Sequence, residues 1–220
     1  MDESLVEASR EISRRGYPAG IILAGGSSRR MGKDKALLPY PGQPGNPPET
    51  FLEHLVTVLS SCCSDVFVAA RDEAQAALYA HAGAQIVLDN TPGGGPLMGL
   101  YSALQAISEP YAILVAVDMP FVTAQLLSYM LLHYQENTAL VPLVDGYPQV
   151  TLAIYPRSML PLIEKRVKQG RRDLRCLLED ARVRYIEGEQ LRVVDPALRS
   201  FVGINTYEEL QRAGALWKES

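Results

Sequence analysis

Apolar positions along the chain fall into two alternating patterns. Residues 19–24, Ala-Gly-Ile-Ile-Leu-Ala, form a short uninterrupted apolar run that breaks at Gly25-Gly26. That is the pattern of a buried strand ending in a tight turn. Residues 51–62 then carry Phe51, Leu52, Leu55, Val56, Val58 and Leu59 at helical spacing. The alternation continues with a strand at 65–70, an Ala-rich helix at 72–81 and a strand at 84–88. A helix at 97–107 follows, marked by Leu97, Leu100, Leu104 and Ile107, and then the most apolar strand of the chain at 111–117. Two further strands are expected at 138–144 and 149–155, joined around Asp145-Gly146, a dipeptide favoured in tight hairpins. Residues 157–179 read as helical with a break at Gly170, and 183–187 and 192–194 as short strands. Residues 206–217 read as a terminal helix, with Thr206 as N-cap and Glu209 three residues on, the spacing of a capping box.

Strands that alternate with helices from residue 19 to about 132 predict a parallel sheet with helices on both faces. The apolar runs are continuous, as two-sided burial requires. The expected fold class is therefore α/β: a single three-layer α/β/α domain with a mostly parallel, Rossmann-like sheet. Residues 16–220 are assigned to that domain. Residues 1–15, where Leu5, Ala8 and Ile12 make one weak stripe, are read as an N-terminal arm. The Pro- and Gly-rich stretch 39–48 reads as an insertion.

Composition narrows the function class. Hydrophobic residues are 47% and charged residues 21%, which excludes bulk disorder. Lys plus Arg number 21 against 25 Asp plus Glu, a net charge of −4, which argues against a nucleic-acid partner. No apolar run approaches the length of a membrane span, and residues 1–15 lack the apolar core of a secretory signal. Cys62, Cys63 and Cys176 show no CxxC or Cys/His spacing, so three reduced thiols in a cytoplasmic, reducing compartment are expected. His54, His81 and His133 are scattered, which gives no zinc pattern.

The candidate chemistry sits where strands end. The segment Leu23-Ala-Gly-Gly-Ser-Ser-Arg-Arg-Met-Gly-Lys-Asp-Lys35 places two glycines directly after a buried strand. Glycine lets backbone N–H groups approach an anion closely, and the hydroxyls and cations that follow suit a polyphosphate. The segment is neither a P-loop nor a dinucleotide-binding fingerprint, because GxxxxGK[ST] and GxGxxG are absent. Asp118 follows the strand 111–117 directly. Read by itself, it fits either a magnesium ligand at the carboxyl edge of a sheet or the N-cap of a helix starting near Val122. Residues 86–99, Ile-Val-Leu-Asp-Asn-Thr-Pro-Gly-Gly-Gly-Pro-Leu-Met-Gly, again place a carboxylate, Asp89, at a strand end before a glycine-rich helix start.

The pattern LAGGxSxRMGxDKxLL resembles the signature of the nucleotidyltransferases that activate phosphorylated cofactors and sugars. Within that superfamily the chain most resembles the molybdenum cofactor guanylyltransferases. The resemblance covers about residues 19–212. It implies that Leu23, Ala24, Gly25 and Gly26 hold the nucleotide's base and phosphates, that Lys35 contacts the triphosphate, and that Arg30 stabilises phosphate charge. It further implies that Asp89 and Gly95 bind the nucleotide and that Asp118 binds both nucleotide and Mg²⁺. A looser match to the family's Asn-x-Asn-Thr implies that Asn205 binds on the acceptor side. Arg30, Lys35 and Asp118 form the implied catalytic set. The implied reaction is transfer of GMP from GTP to the phosphate of molybdenum-bearing molybdopterin, with release of pyrophosphate. Transient contact with the upstream molybdenum-inserting enzyme and with target apo-enzymes is implied as well. The family's guanine-binding members often carry Asn at the end of the second strand, where this chain has Ala69. A cytidylyltransferase acting on the same cofactor, or on another phosphorylated metabolite, is the alternative.

Overall fold

The computed structural model describes residues 16–25, 34–40, 49–91 and 93–216. The expected arm at 1–15 and most of the 39–48 insertion lie outside these. β1 (Ala19–Leu23) opens the fold. β2 (Pro39–Tyr40), at the start of the 39–48 stretch, pairs antiparallel with β3 (Glu49–Thr50), which follows it. His54 braces that pair: its ring stacks on Tyr40 at 3.6 Å, and its Nδ1 lies 3.0 Å from Glu49 Oε1.

α1 (Phe51–Ser60) starts at a capping box. The Thr50 N–H donates to Glu53 Oε2 at 2.7 Å, and the Glu53 N–H donates to Thr50 Oγ1 at 3.2 Å. β4 (Val66–Ala70), α2 (Glu73–Tyr79), β5 (Gln85–Leu88), α3 (Gly95–Ala106), β6 (Tyr111–Ala116) and α4 (Ala124–His133) continue the alternation. They are followed by β7 (Ala139–Val144), β8 (Tyr147–Pro148), β9 (Leu152–Pro156), α5 (Leu160–Lys168), β10 (Val183–Glu187), α6 (Gly188–Leu191) and α7 (Tyr207–Leu216).

The main sheet runs β10-β7-β9-β6-β1-β4-β5, with β8 paired to β7. β1 is parallel to β4 on one side and to β6 on the other, with Ile21 opposite both Phe67 and Leu114. β9 runs antiparallel to both of its neighbours, β6 and β7, and the short β8 is antiparallel to β7 as well. Period-2 alternation divides each apolar run between two cores. Ile22, Val68, Ile113 and Val115 face α1 and α4, while Ile21, Phe67, Ala112 and Leu114 face α3 and α5. Those are the three layers that continuous apolar strands predict.

Several local expectations change. The hairpin at Asp145-Gly146 forms with φ of 50° and 78°, as a two-residue type I′ turn requires, but its second arm is only β8. The strand expected at 149–155 starts at Leu152 and finds its longer ladder on β6. Residues 192–194 are not a strand. The Val194 and Asp195 N–H groups donate to the Leu191 carbonyl at 3.1 and 2.9 Å, which makes a turn after the one-turn α6. Gly170 (φ 76°) does break the 157–179 stretch, but its second half is a 3-10 helix at Leu174–Glu179. α7 starts on the expected capping box, with the Glu209 N–H donating to Thr206 Oγ1 and the Thr206 N–H to Glu209 Oε2, both at 3.1 Å.

β1 has β4 and β6 as its two neighbours, and after β4 and β5 the chain crosses back over β1 to β6 through α3. This is a topological switch point, where open α/β sheets form a crevice at the carboxyl ends of their strands. Leu23, Ala70, Leu88 and Ala116 all end at that edge.

Candidate active site

A cleft of about 880 Å³ opens at this switch point. That is large enough for a nucleotide-sized ligand. Leu23, Ala24, Gly25, Lys35, Asp89, Gly95 and Asp118 all line it. Gly26 and Arg30 lie outside the described residues.

Each wall has a local cause. The turn after β1 is tied to its neighbour, as the Ala24 N–H donates to the Ala69 carbonyl at 3.1 Å. Ala69 lines the cleft too, and presents a methyl group where an amide side chain would offer hydrogen bonds. Gly95 starts α3 with φ of 73°, and a Cβ there would stand 2.8 Å from the Arg172 carbonyl oxygen. Only glycine satisfies both constraints. The Leu97 N–H donates to that same carbonyl at 3.1 Å, which holds Arg172 against the helix start.

Asp89 follows β5, and its N–H donates to the Ala70 carbonyl at 2.9 Å. Its Oδ1 is buried and has no hydrogen-bond partner among the described residues. Burial pushes the carboxyl up to about 6, against the pull of the Arg71 guanidinium. The folded chain therefore holds the Asp89 proton more tightly than the unfolded chain does. Between the ordinary carboxylate range and pH 6, stability of the ligand-free protein falls as pH rises, and above that the penalty is complete. Asp89→Asn removes the penalty. Its melting temperature is expected to exceed wild type near pH 7.5 by the equivalent of about 1–3 kcal/mol, and to match wild type near pH 4, in thermal melts across pH.

Asp118 follows β6 through Val117, whose N–H donates to the Leu23 carbonyl at 3.1 Å. It does not cap a helix. Thr123 caps α4, accepting from the Leu126 N–H at 3.2 Å, because the helix starts two residues later than expected. Asp118 Oδ2 lies 3.5 Å from Lys35 Nζ. Lys35 Nζ also donates to Asn205 Oδ1 at 2.7 Å. The Ile204 N–H donates to the Asp118 carbonyl at 2.7 Å, and so the segment before α7 is carried to the strand end. Three residues separated by up to 170 positions thus meet at the cleft. Asn205 reaches the site through Lys35 and is not part of the cleft wall.

Sequence reading missed three polar walls of the cleft: Arg71, Thr151 and Arg172. Arg71 follows β4 directly, the same strand-end position that marks Asp118. Arg172 carried no such signal, because its approach to Gly95 depends on how α5 packs beneath α3. The three cysteines are free, and the described residues hold no metal-type group of three or more His, Cys, Asp or Glu. None of the described helices is long and apolar enough to cross a membrane.

Comparison with known proteins decides the family. The family model for the MobA-like NTP transferase domain matches residues 20–186. The chain belongs to the MobA-like NTP transferase family. A probable molybdenum cofactor guanylyltransferase of Chloroflexus aggregans is 34% identical over 198 residues, covering 88% of this chain and 91% of that one. The molybdenum cofactor guanylyltransferase of Desulfosudis oleivorans is 32% identical over 201 residues, covering 90% and 95%. The crystal structure of molybdopterin-guanine dinucleotide biosynthesis protein A from Archaeoglobus fulgidus superposes with a TM-score of 0.77 at 30% identity, covering 92% of this chain and all of that one. MobA-like membership makes the chain a nucleotidyltransferase, and the superposition bears out the α/β class.

Proposed function

We propose that the protein transfers GMP from GTP to the phosphate of molybdenum-bearing molybdopterin and releases pyrophosphate. The observation that carries this reading is the meeting of Lys35, Asp118 and Asn205 at one end of a cleft that has Asp89, with its unpartnered oxygen, in another wall. The relatives named above support guanylyl transfer to this acceptor.

In the reaction an oxygen of the acceptor phosphate forms a bond to the α-phosphorus of GTP. The bond from that phosphorus to the bridging oxygen of the β-phosphate breaks, and pyrophosphate leaves with its electron pair. No side-chain nucleophile is required, because phosphoryl transfer rests on positioning and charge neutralisation. Leu23, Ala24 and Gly25 form the turn against which the nucleotide lies. Asp89 accepts from a donor of the nucleoside through its carboxylate in the cleft wall. Lys35 neutralises charge on the phosphates, and Arg30 is proposed to assist it. Asn205 orients the Lys35 ammonium on the acceptor side.

Asp118 fits a Mg²⁺ site. It is a single carboxylate that opens to the cleft, side chain 28% exposed, and Mg²⁺ is commonly held by one or two carboxylates with phosphate oxygens and water. When bound, Mg²⁺ supplies Lewis-acid neutralisation of phosphate charge.

The test is a panel of GTP, CTP and ATP with Mg²⁺ and the molybdenum cofactor, scored by pyrophosphate release. Release from GTP alone is expected, and a ligand at about 100 times its Kd raises stability by about 2.7 kcal/mol, so a thermal-shift panel ranks the bases in parallel. Release from CTP and none from GTP replaces the guanylyl reading with the cytidylyl one. The methyl group of Ala69 in the cleft wall makes this comparison the deciding one.

A further inference from the structure

Beneath the cleft lies a buried polar network that the transfer reading does not use. Gln75 and Tyr79 stand one turn apart on α2 and are 3% and 1% exposed. An amphipathic helix ordinarily fills such positions with apolar side chains. Gln75 instead satisfies its whole amide. Its Nε2 donates to the Ala24 carbonyl at 3.1 Å and to Asp34 Oδ2 at 3.0 Å, and its Oε1 accepts from the Arg71 N–H at 2.9 Å. The Tyr79 hydroxyl donates to the same Asp34 Oδ2 at 2.9 Å. Asp34 Oδ1 accepts from the Ala36 N–H at 3.0 Å, capping the 3-10 turn Lys35–Leu37.

The endpoints of this network carry its meaning. Ala24 belongs to the turn after β1, Arg71 to the end of β4, and Asp34 is the immediate neighbour of Lys35. Ala24, Arg71 and Lys35 all line the cleft. A fully satisfied buried network fixes one arrangement of the segments it joins, and an apolar filling would not. Burial, reinforced by the Asp34 carboxylate, pushes the Tyr79 hydroxyl above its usual range and keeps it a donor.

We propose that Gln75 and Tyr79 are positioning residues: both hold the Lys35 turn through Asp34, and Gln75, bonded directly to the Ala24 carbonyl, ties that turn to the nucleotide turn at Ala24-Gly25 in one rigid unit. The two differ in reach. Tyr79 holds only the Lys35 turn, whereas Gln75 also holds the turn after β1. The inference rests on the nucleotide-transfer reading above.

That difference gives a test. Tyr79→Phe deletes one oxygen and is expected to lower kcat about tenfold while KM for the nucleotide stays within about twofold, since the Ala24 bond survives. Gln75→Leu loses three bonds and is expected to lower kcat/KM about 100-fold, with both kcat and KM affected. In an Asp34→Ala background, Tyr79→Phe is expected to have no further effect on kcat, because its partner is gone. Circular dichroism and thermal melts at the assay temperature report the folded fraction. If Gln75→Leu does not fold, the Tyr79→Phe cycle decides alone. Equal kcat losses in both backgrounds, or wild-type kcat with only a lower melting temperature, overturns the proposal. The wild-type arm tests the underlying reading separately. Turnover with CTP in place of GTP leaves the network inference standing, and the cycle is then run with CTP. A wild-type protein inert with every nucleotide overturns both.

Discussion

Asp118→Ala is expected to lower pyrophosphate release by at least about 10³-fold, since a metal ligand contributes several kcal/mol of phosphate-charge stabilisation and each tenfold is about 1.4 kcal/mol. The fold should survive. The backbone carbonyl of residue 118 still accepts the Ile204 N–H at 2.7 Å, and Thr123 still caps α4. The pair lost with Lys35 is part-exposed, 17% and 28% on its two sides, and at 3.5 Å such a pair contributes about 1 kcal/mol or less. Steady-state turnover and a thermal melt on the same preparation check both halves. Asp118→Asn keeps an oxygen but loses its charge, so it should retain partial activity only at raised Mg²⁺. Turnover of Asp118→Ala within about tenfold of wild type would remove the residue from the metal role.

Lys35→Ala is expected to lower kcat by about 10²–10³-fold, the effect of deleting one preorganised charge-stabilising donor. Its Mg²⁺ dependence separates it from the first variant. With the ammonium 3.5 Å from Asp118 removed, the carboxylate loses a competing cation, and the Mg²⁺ concentration giving half-maximal rate should fall. Lys35→Arg is not expected to restore the rate. The site holds a compact ammonium 2.7 Å from Asn205 Oδ1, and a planar guanidinium on a longer stem cannot reproduce that geometry. A Mg²⁺ titration of turnover in the three proteins is the measurement. An unchanged or raised Mg²⁺ requirement in Lys35→Ala would count against Lys35 facing the metal.

Much of the molecule is legible in its residues because the signals are local. β1, β4 and β6 are apolar runs that end at glycine, arginine or aspartate, so both their burial and their exit toward a ligand edge are written into consecutive residues. The strand-end position of Asp89 and Asp118 was legible for the same reason. Thr50 with Glu53 and Thr206 with Glu209 cap their helices at a spacing of three. The segment 192–194 failed for the opposite reason: three residues carry too little periodicity to separate a strand from a helix-ending turn.

The amino-acid sequence by itself determined the α/β class, the strand-end position of the candidate site, and Lys35, Asp89 and Asp118 as three of the charged residues that line the cleft. The tertiary structure alone decided which of these meet. Lys35 reaches Asp118 and Asn205 because the parallel order β4-β1-β6 brings the ends of distant strands together and the Ile204 N–H is drawn onto the Asp118 carbonyl. It alone placed Arg172 on Gly95 and showed Gln75 turned inward beneath the nucleotide turn. Patterns of burial and capping act over a few residues and can be read along the chain. Pairings across 41 to 170 residues depend on how layers pack, and they appear only once the sheet is assembled.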